Sequence, residues 1–377
     1  MMNRREAFEA TVDHRQPERV LVDYGKHIGS FHRNAYAPLV EHLGLEVEAR
    51  ILDRMAQNVV LDEAVCQRLG IDFRWVVPHW VSVHDVEIDG QPGYVDMWQT
   101  PHKWTEAGQY YAIHAQPLDQ ETLTRADIES FAWPDPNTPA MFEGLREQAQ
   151  QWYEQTDYVV GADGIKAGIL QTASQIRGYD KLFLDFALNP AIAHALLDRI
   201  SELLNEMYRA YMRAVGPYVQ VVVITDDQGT QNSLLISPKM FRQFIKPRLR
   251  SLIEAIKGEA PHVRVLMHCD GAILRIVDDL IEAGVDILNP IQTVVTGFED
   301  TAELKARFGD RVCFHGGIDV QQILPRATVE GVRQEVARCI GDLGREGGYL
   351  LAPCHNINVD IPVANVLALF EASRAIG

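Results

Sequence analysis

The chain has 377 residues, 47% of them hydrophobic and 23% charged, which supplies apolar material for one large core or two smaller ones. A formal net charge of -17 argues against a nucleic-acid binder, which presents a basic face, and against attachment to anionic membranes. Five cysteines at irregular spacing make no disulfide framework and suit reduced thiols in a cytoplasm, and no run of about 18 apolar residues predicts a membrane span.

Residues 3–12 read as a short amphipathic helix that Pro17 ends, and their polar start is no signal peptide. A first strand is predicted over 20–24, followed by a polar loop with two histidines over 25–33. Helical patterns cover 36–43 and 48–69, the second closed by Gly70, and a second strand covers 72–77. Residues 79–117 alternate polar with aromatic or β-branched residues around the turn signal Asp89-Gly90, which predicts an antiparallel hairpin insertion able to cap a pocket. From there strands at 158–162, 219–225, 263–268, 285–289, 311–315 and 348–352 alternate with helices at 140–155, 174–186, 190–215, 238–257, 272–283, 300–308, 328–343 and 362–375. This alternation predicts βα units, and about eight strands suit a closed α/β barrel, a (β/α)8 TIM barrel formed by one domain over 1–377. An open doubly wound sheet is the alternative, weakened by the absence of a glycine-rich phosphate fingerprint after any strand.

In a parallel barrel the carboxyl ends of the strands share one rim, and the active site is built there. That rim collects Asp23 and Tyr24, His79, Asp163, Asp226 and Asp227, His268, Cys269 and Asp270, Asn289 and Gln292, His315, and Cys354 with His355. Side chains alternate along a strand, so His268 and Asp270 face the same way and Cys269 the other. His268 and Asp270 can therefore chelate a metal together, with Cys354 as a third ligand and His315 as a fourth; zinc takes this mixture of nitrogen, oxygen and sulfur donors. The alternative is a hydrogen-bonded His–Asp pair with Cys354 as a small buried residue. Adjacent Asp226 and Asp227 cannot both face one ligand: one is expected in the pocket and the other on a turn or a cation. Asp163, followed by Gly164, reads either as a rim carboxylate or as a turn former.

Several stretches together resemble the uroporphyrinogen decarboxylase superfamily: 222–231, Ser237-Pro238-Lys239-Met240-Phe241, Lys246-Pro247-Arg248-Leu249, His268-Cys269-Asp270-Gly271, 283–292, Phe308-Gly309-Asp310-Arg311 and Ala352-Pro353-Cys354-His355-Asn356-Ile357. The resemblance runs from about residue 158 to the end and implies a (β/α)8 barrel. True decarboxylases of this superfamily grip substrate carboxylates with an arginine-rich loop after the first strand. The matching stretch here, 23–33, lacks the arginine pair. The chain is more similar to the cobalamin-dependent methyltransferase-like branch, whose zinc is held by a His-x-Cys pair and a distant Cys. The corresponding positions are His268, Asp270 and Cys354, with Asp where the branch has Cys. This resemblance implies zinc-dependent methyl transfer from a methyl-corrinoid, carried by a partner protein, to a thiol acceptor. Asp163, Asp226, Asp227, His315 and His355 would then be catalytic, with Asn289 and Gln292 toward the cofactor. A homodimer is one assembly compatible with it. A cofactor-independent decarboxylase acting on a small or porphyrin-like carboxylate is the other expectation.

Overall fold

Eight parallel strands organise the structure, a computed structural model that describes residues 2–375. In chain order they are β1 (Leu21–Val22), β2 (Phe73–Val76), β3 (Val159–Ala162), β4 (Val221–Thr225), β5 (Arg264–His268), β6 (Ile287–Ile291), β7 (Cys313–Ile318) and β8 (Tyr349–Pro353). Hydrogen-bonded neighbours run β1-β8-β7-β6-β5-β4-β3-β2. The seam between β1 and β2 is bridged by Asp72, whose N–H donates to the Val22 carbonyl while its carboxylate accepts the Val22 N–H, both at 2.9 Å. The result is the expected (β/α)8 barrel, nearly closed.

Val, Ile and Leu dominate these strands because both faces are covered, one by the barrel interior and one by helices. Leu21, Phe73, Val159, Val221, Val223, Leu266, Ile287, Cys313 and Leu350 form the inner core. The helix Arg4–Val12, capped by Asn3, closes the amino-terminal end, with Phe8 edge-on to Phe73 at 5.8 Å between ring centroids. The inward parity that places Leu21, Val159, Val223, Leu266, Ile287 and Cys313 in that core reaches Asp23, Asp163, Thr225, His268, Asn289 and His315 at the other end. An apolar barrel thus carries a polar top layer.

Three segments depart from expectation. The helix predicted over 48–69 is instead a small hairpin, Ile51–Asp53 with Asn58–Val59, followed by the helix Glu63–Leu69. Asp53 accepts the N–H groups of Met55 and Ala56 and turns the chain, and Asp62 caps the new helix. The helix predicted over 174–186 breaks at Gly178, whose φ of 85° separates Ile169–Arg177 from Tyr179–Leu188. The insertion is a four-stranded antiparallel meander rather than one hairpin: His84–Ile88, Gln91–Val95, Pro101–Thr105 and Tyr110–Ile113. Its first turn is Asp89-Gly90, both residues at positive φ. Among the described residues no helix is long and apolar enough to cross a membrane.

Candidate active site

The polar top layer is one hydrogen-bonded chain. Asp23, with no side-chain exposure, accepts Lys26 Nζ at 2.5 Å, Trp75 Nε1 at 2.8 Å and His315 Nε2 at 2.8 Å. Burial alone would raise the Asp23 carboxyl, but Lys26 and His315 hold it at about 2. It is therefore an anion that only accepts. His315 Nε2 must donate to it, which leaves His315 Nδ1 to accept from Asn289 Nδ2 at 2.7 Å. The Asn289 oxygen then faces His268 Nδ1 at 2.6 Å, so that nitrogen carries a proton. His268 Nε2 is left with a lone pair aimed into the barrel mouth. Ordinary donor–acceptor accounting thus transmits the charge of Asp23 across two side chains and selects the tautomer of His268.

Burial, reinforced by the neighbouring Lys26 charge, pushes the His315 imidazole down to about 4. A depressed folded-state pKa means that the folded chain binds fewer protons than the unfolded one. The corresponding stability is complete above about pH 6.5 and is lost as pH falls toward 4. Asp226, raised to about 7, contributes in the opposite direction over this window, so the His315 contribution is read as the difference in urea-unfolding stability between wild type and His315→Gln, which is expected to shift against the wild type as pH falls from 6.5 toward 4.

His268 Nε2, the Asp270 carboxylate and His355 Nε2 converge at the mouth, with their donor atoms all within 4.8 Å of one another. His268 Nε2 lies 3.8 Å from Asp270 Oδ1, and His355 Nε2 lies 3.9 Å from Asp270 Oδ2. Asp270 Oδ1 is buried and makes no hydrogen bond. A lone pair and a carboxylate oxygen therefore face each other unpaired, which is costly unless a cation or an added proton lies between them.

The expected third ligand, Cys354, is not in this cluster. β8 ends at Pro353, so its alternation carries no further, and the Cys354 thiol turns onto the Ile291 carbonyl at 3.1 Å. Burial pushes that thiol well above the usual range. The bend presents His355 instead. Cys269 behaves as its parity dictates and packs into the outer core.

The two adjacent carboxylates divide their roles. Asp226 accepts the N–H groups of Leu170 and Gln171 at the start of Ile169–Arg177 and acts as a helix cap. Burial raises it to about 7. Asp227 accepts the Asp270 N–H at 2.9 Å and Gln171 Nε2 at 2.6 Å, bracing the loop that carries Asp270. Gln292, expected toward a cofactor, accepts the Gly271 N–H at 3.0 Å and braces the same loop, while Asn289 is occupied by its two histidines. His315 lies beneath the cluster as a relay and not as a ligand.

Asp163 holds His27. It accepts the His27 backbone N–H at 2.7 Å, His27 Nδ1 at 2.6 Å and the Gly164 N–H at 2.8 Å. His27 and Lys26 come from the loop after β1, where sequence reasoning marked only a polar stretch. The signal was there: this loop follows the same rim as the other site residues.

A family model described as uroporphyrinogen decarboxylase (URO-D) matches residues 112–376. The chain belongs to this family. Uroporphyrinogen decarboxylase of Psychromonas ingrahamii is 23% identical over 274 residues, covering 70% of this chain and 73% of that protein. Uroporphyrinogen decarboxylase of Aliivibrio salmonicida is 22% identical over 273 residues, covering 70% and 73%. A solved structure of a methyltransferase from Methanosarcina mazei superposes with a TM-score of 0.71 at 18% identity, over 100% of this chain and 99% of that one. Within the uroporphyrinogen decarboxylase family fold, the match to that structure extends through the first barrel strands and the insertion.

Proposed function

We propose that this member of the uroporphyrinogen decarboxylase family is a zinc-dependent methyltransferase that passes a methyl group from a methyl-corrinoid, carried by a partner protein, to a small thiol. The observation that carries the reading is the buried, unpaired Asp270 Oδ1 facing His268 Nε2, in a carboxylate whose other oxygen faces His355 Nε2. Two histidines and one carboxylate are a donor set that zinc accepts in catalytic sites while leaving a position open. Bound to His268, Asp270 and His355, zinc would lower the pKa of a thiol from its ordinary value near ~8.5. The protein's own contribution is orientation. Asn289 presents His268 in the tautomer that offers Nε2, and Asp227 and Gln292 fix the backbone on either side of Asp270. Five cysteines, all unpaired, fit a reducing cytoplasm.

Decarboxylation without a cofactor is the second reading, favoured by the names of the curated relatives. The loop after β1 speaks against a substrate rich in carboxylates. Lys26 is consumed by Asp23, His27 by Asp163, and Arg33 stacks over Trp104 at 5.7 Å. No arginine fork is presented to the mouth by this loop.

The deciding measurement is elemental analysis of protein purified without added zinc, paired with methyl transfer from methylcobalamin to 2-mercaptoethanol before and after chelation. Stoichiometric zinc and chelator-sensitive transfer are expected. Carbon dioxide release by metal-free protein would replace this reading with the second.

A further inference from the structure

His355 belongs to two places at once: the cluster, and the wall of a pocket of about 390 Å³. That volume lies within the ~300–1,000 Å³ of ordinary small-molecule sites. Four segments distant in the chain build the wall: the loop after β1, the turn of the small hairpin, the last turn of the insertion (107–110) and the segment after β8. They are tied to one another. His32 Nδ1 accepts the Asn34 N–H at 3.2 Å, so its proton is on Nε2, which donates to the Gln109 carbonyl at 3.1 Å. The Tyr111 N–H donates to the Met55 carbonyl and the His32 N–H to the Ile357 carbonyl, both at 2.9 Å. The insertion is thereby fastened to the barrel along one edge of this pocket.

Among the described residues the wall carries no Asp, Glu, Lys or Arg side chain. Met55, Ala56 and Val359 give it apolar surface, and Asn58 and Gln109 give it amides. The charged neighbours in the chain are engaged elsewhere. Arg33 stacks over Trp104, and Arg54 pairs with Asp85 at 2.5 Å. Glu106 accepts Trp104 Nε1 at 2.9 Å and Gln109 Nε2 at 3.2 Å. Asp360, next to Val359, is not part of the wall. A charged molecule entering this pocket gives up water and meets no counter-ion, whereas an uncharged one has no such cost.

We propose that this pocket is the acceptor subsite, with the thiol group toward the cluster and the rest of the molecule beyond His355, and that the acceptor is an uncharged thiol. The inference rests on the thiol-acceptor reading above and names the class of thiol. Ala56 and Val359 are then positions that determine specificity, since both line the pocket and neither belongs to the cluster.

The test compares three thiols of similar size, 1-thioglycerol (uncharged), 3-mercaptopropionate (anionic) and cysteamine (cationic), by calorimetric titration of the zinc-loaded chain and by methyl transfer from methylcobalamin. Wild type is expected to bind 1-thioglycerol roughly tenfold or more tightly than either charged thiol. Ala56→Phe fills the pocket from the hairpin turn and is expected to weaken 1-thioglycerol by a similar factor while zinc content stays at the wild-type level. Val359 is 64% exposed, so Val359→Lys adds a cation to the wall without disturbing the core. It is expected to shift the affinity ratio toward 3-mercaptopropionate, a comparison in which the intrinsic reactivity of each thiol cancels. Val86→Lys places the same charge on the insertion outside the wall and is expected to leave the ratio unchanged. Tighter binding of a charged thiol by wild type, or the same thiol affinities in Ala56→Phe and Val359→Lys as in wild type, overturns this inference and leaves the thiol reading standing. Failure of the zinc-loaded wild type to bind or methylate any of the three overturns both. Thermal melts identify a variant that fails to fold, and Val359→Lys then carries the test in place of Ala56→Phe.

Discussion

Lys26→Met is expected to lower the free energy of unfolding by roughly 3–5 kcal/mol, the usual cost of stripping one partner from a buried ion pair. Both side chains are sealed, with Lys26 at 1% and Asp23 at 0% exposure. Trp75 and a neutral His315 cannot replace the lost charge. The carboxyl then gains by taking up a proton, and the consequences run along the hydrogen-bonded chain. A protonated Asp23 donates to His315 Nε2, His315 Nδ1 becomes a donor, the Asn289 amide rotates, and His268 Nδ1 turns acceptor. His268 Nε2 would then carry the proton and lose its lone pair. Zinc affinity is therefore expected to fall together with stability, by the roughly 10–100-fold typical of losing an outer-shell partner. Urea unfolding and competitive zinc titration check the two effects. The double variant Asp23→Asn, Lys26→Met removes both charges and is expected to recover part of the stability. A Lys26→Met protein as stable as wild type would mean that the pair is not anchored as described.

Asp270→Ala is expected to remove zinc binding more completely than any outer-shell change, beyond the roughly 10–100-fold range. It deletes the carboxylate whose two oxygens face the two imidazoles, and His268→Ala and His355→Ala are expected to follow it. Cys354→Ser supplies the contrast. The thiol lies on the Ile291 carbonyl, outside the cluster, and a hydroxyl can make the same contact. Zinc content of Cys354→Ser is expected to equal that of wild type. Loss of zinc from Cys354→Ser with retention in His355→Ala would reverse the ligand assignment.

These two variants also mark the boundary of what could be read from the chain. His268 and Asp270 were legible as a pair because both lie where strand alternation still operates. Cys269 N–H bonds to the Asn289 carbonyl at 2.8 Å, so pairing continues past the last residue of β5. The third position was not legible. Cys354 and His355 are neighbours beyond the end of β8, and nothing local says which of them turns toward the mouth. The mistaken helix over 48–69 has a similar origin. Its apolar spacing fits a helix, but Asp53 takes two backbone N–H groups and competes with helical pairing.

By itself, the order of residues determined the barrel, the rim on which the chemistry stands and the shared direction of His268 and Asp270. Period-two alternation and βα succession are local rules that any strand must obey. Only the tertiary structure decided that His355 and not Cys354 completes the cluster, that Asp226 caps a helix while Asp227 braces the Asp270 loop, and that Asp163 holds His27. Each of these depends on where a side chain goes after its strand has ended. There the direction is set by packing and hydrogen bonds to segments distant in the chain: Ile291 for Cys354, Leu170 and Gln171 for Asp226, and the loop after β1 for Asp163.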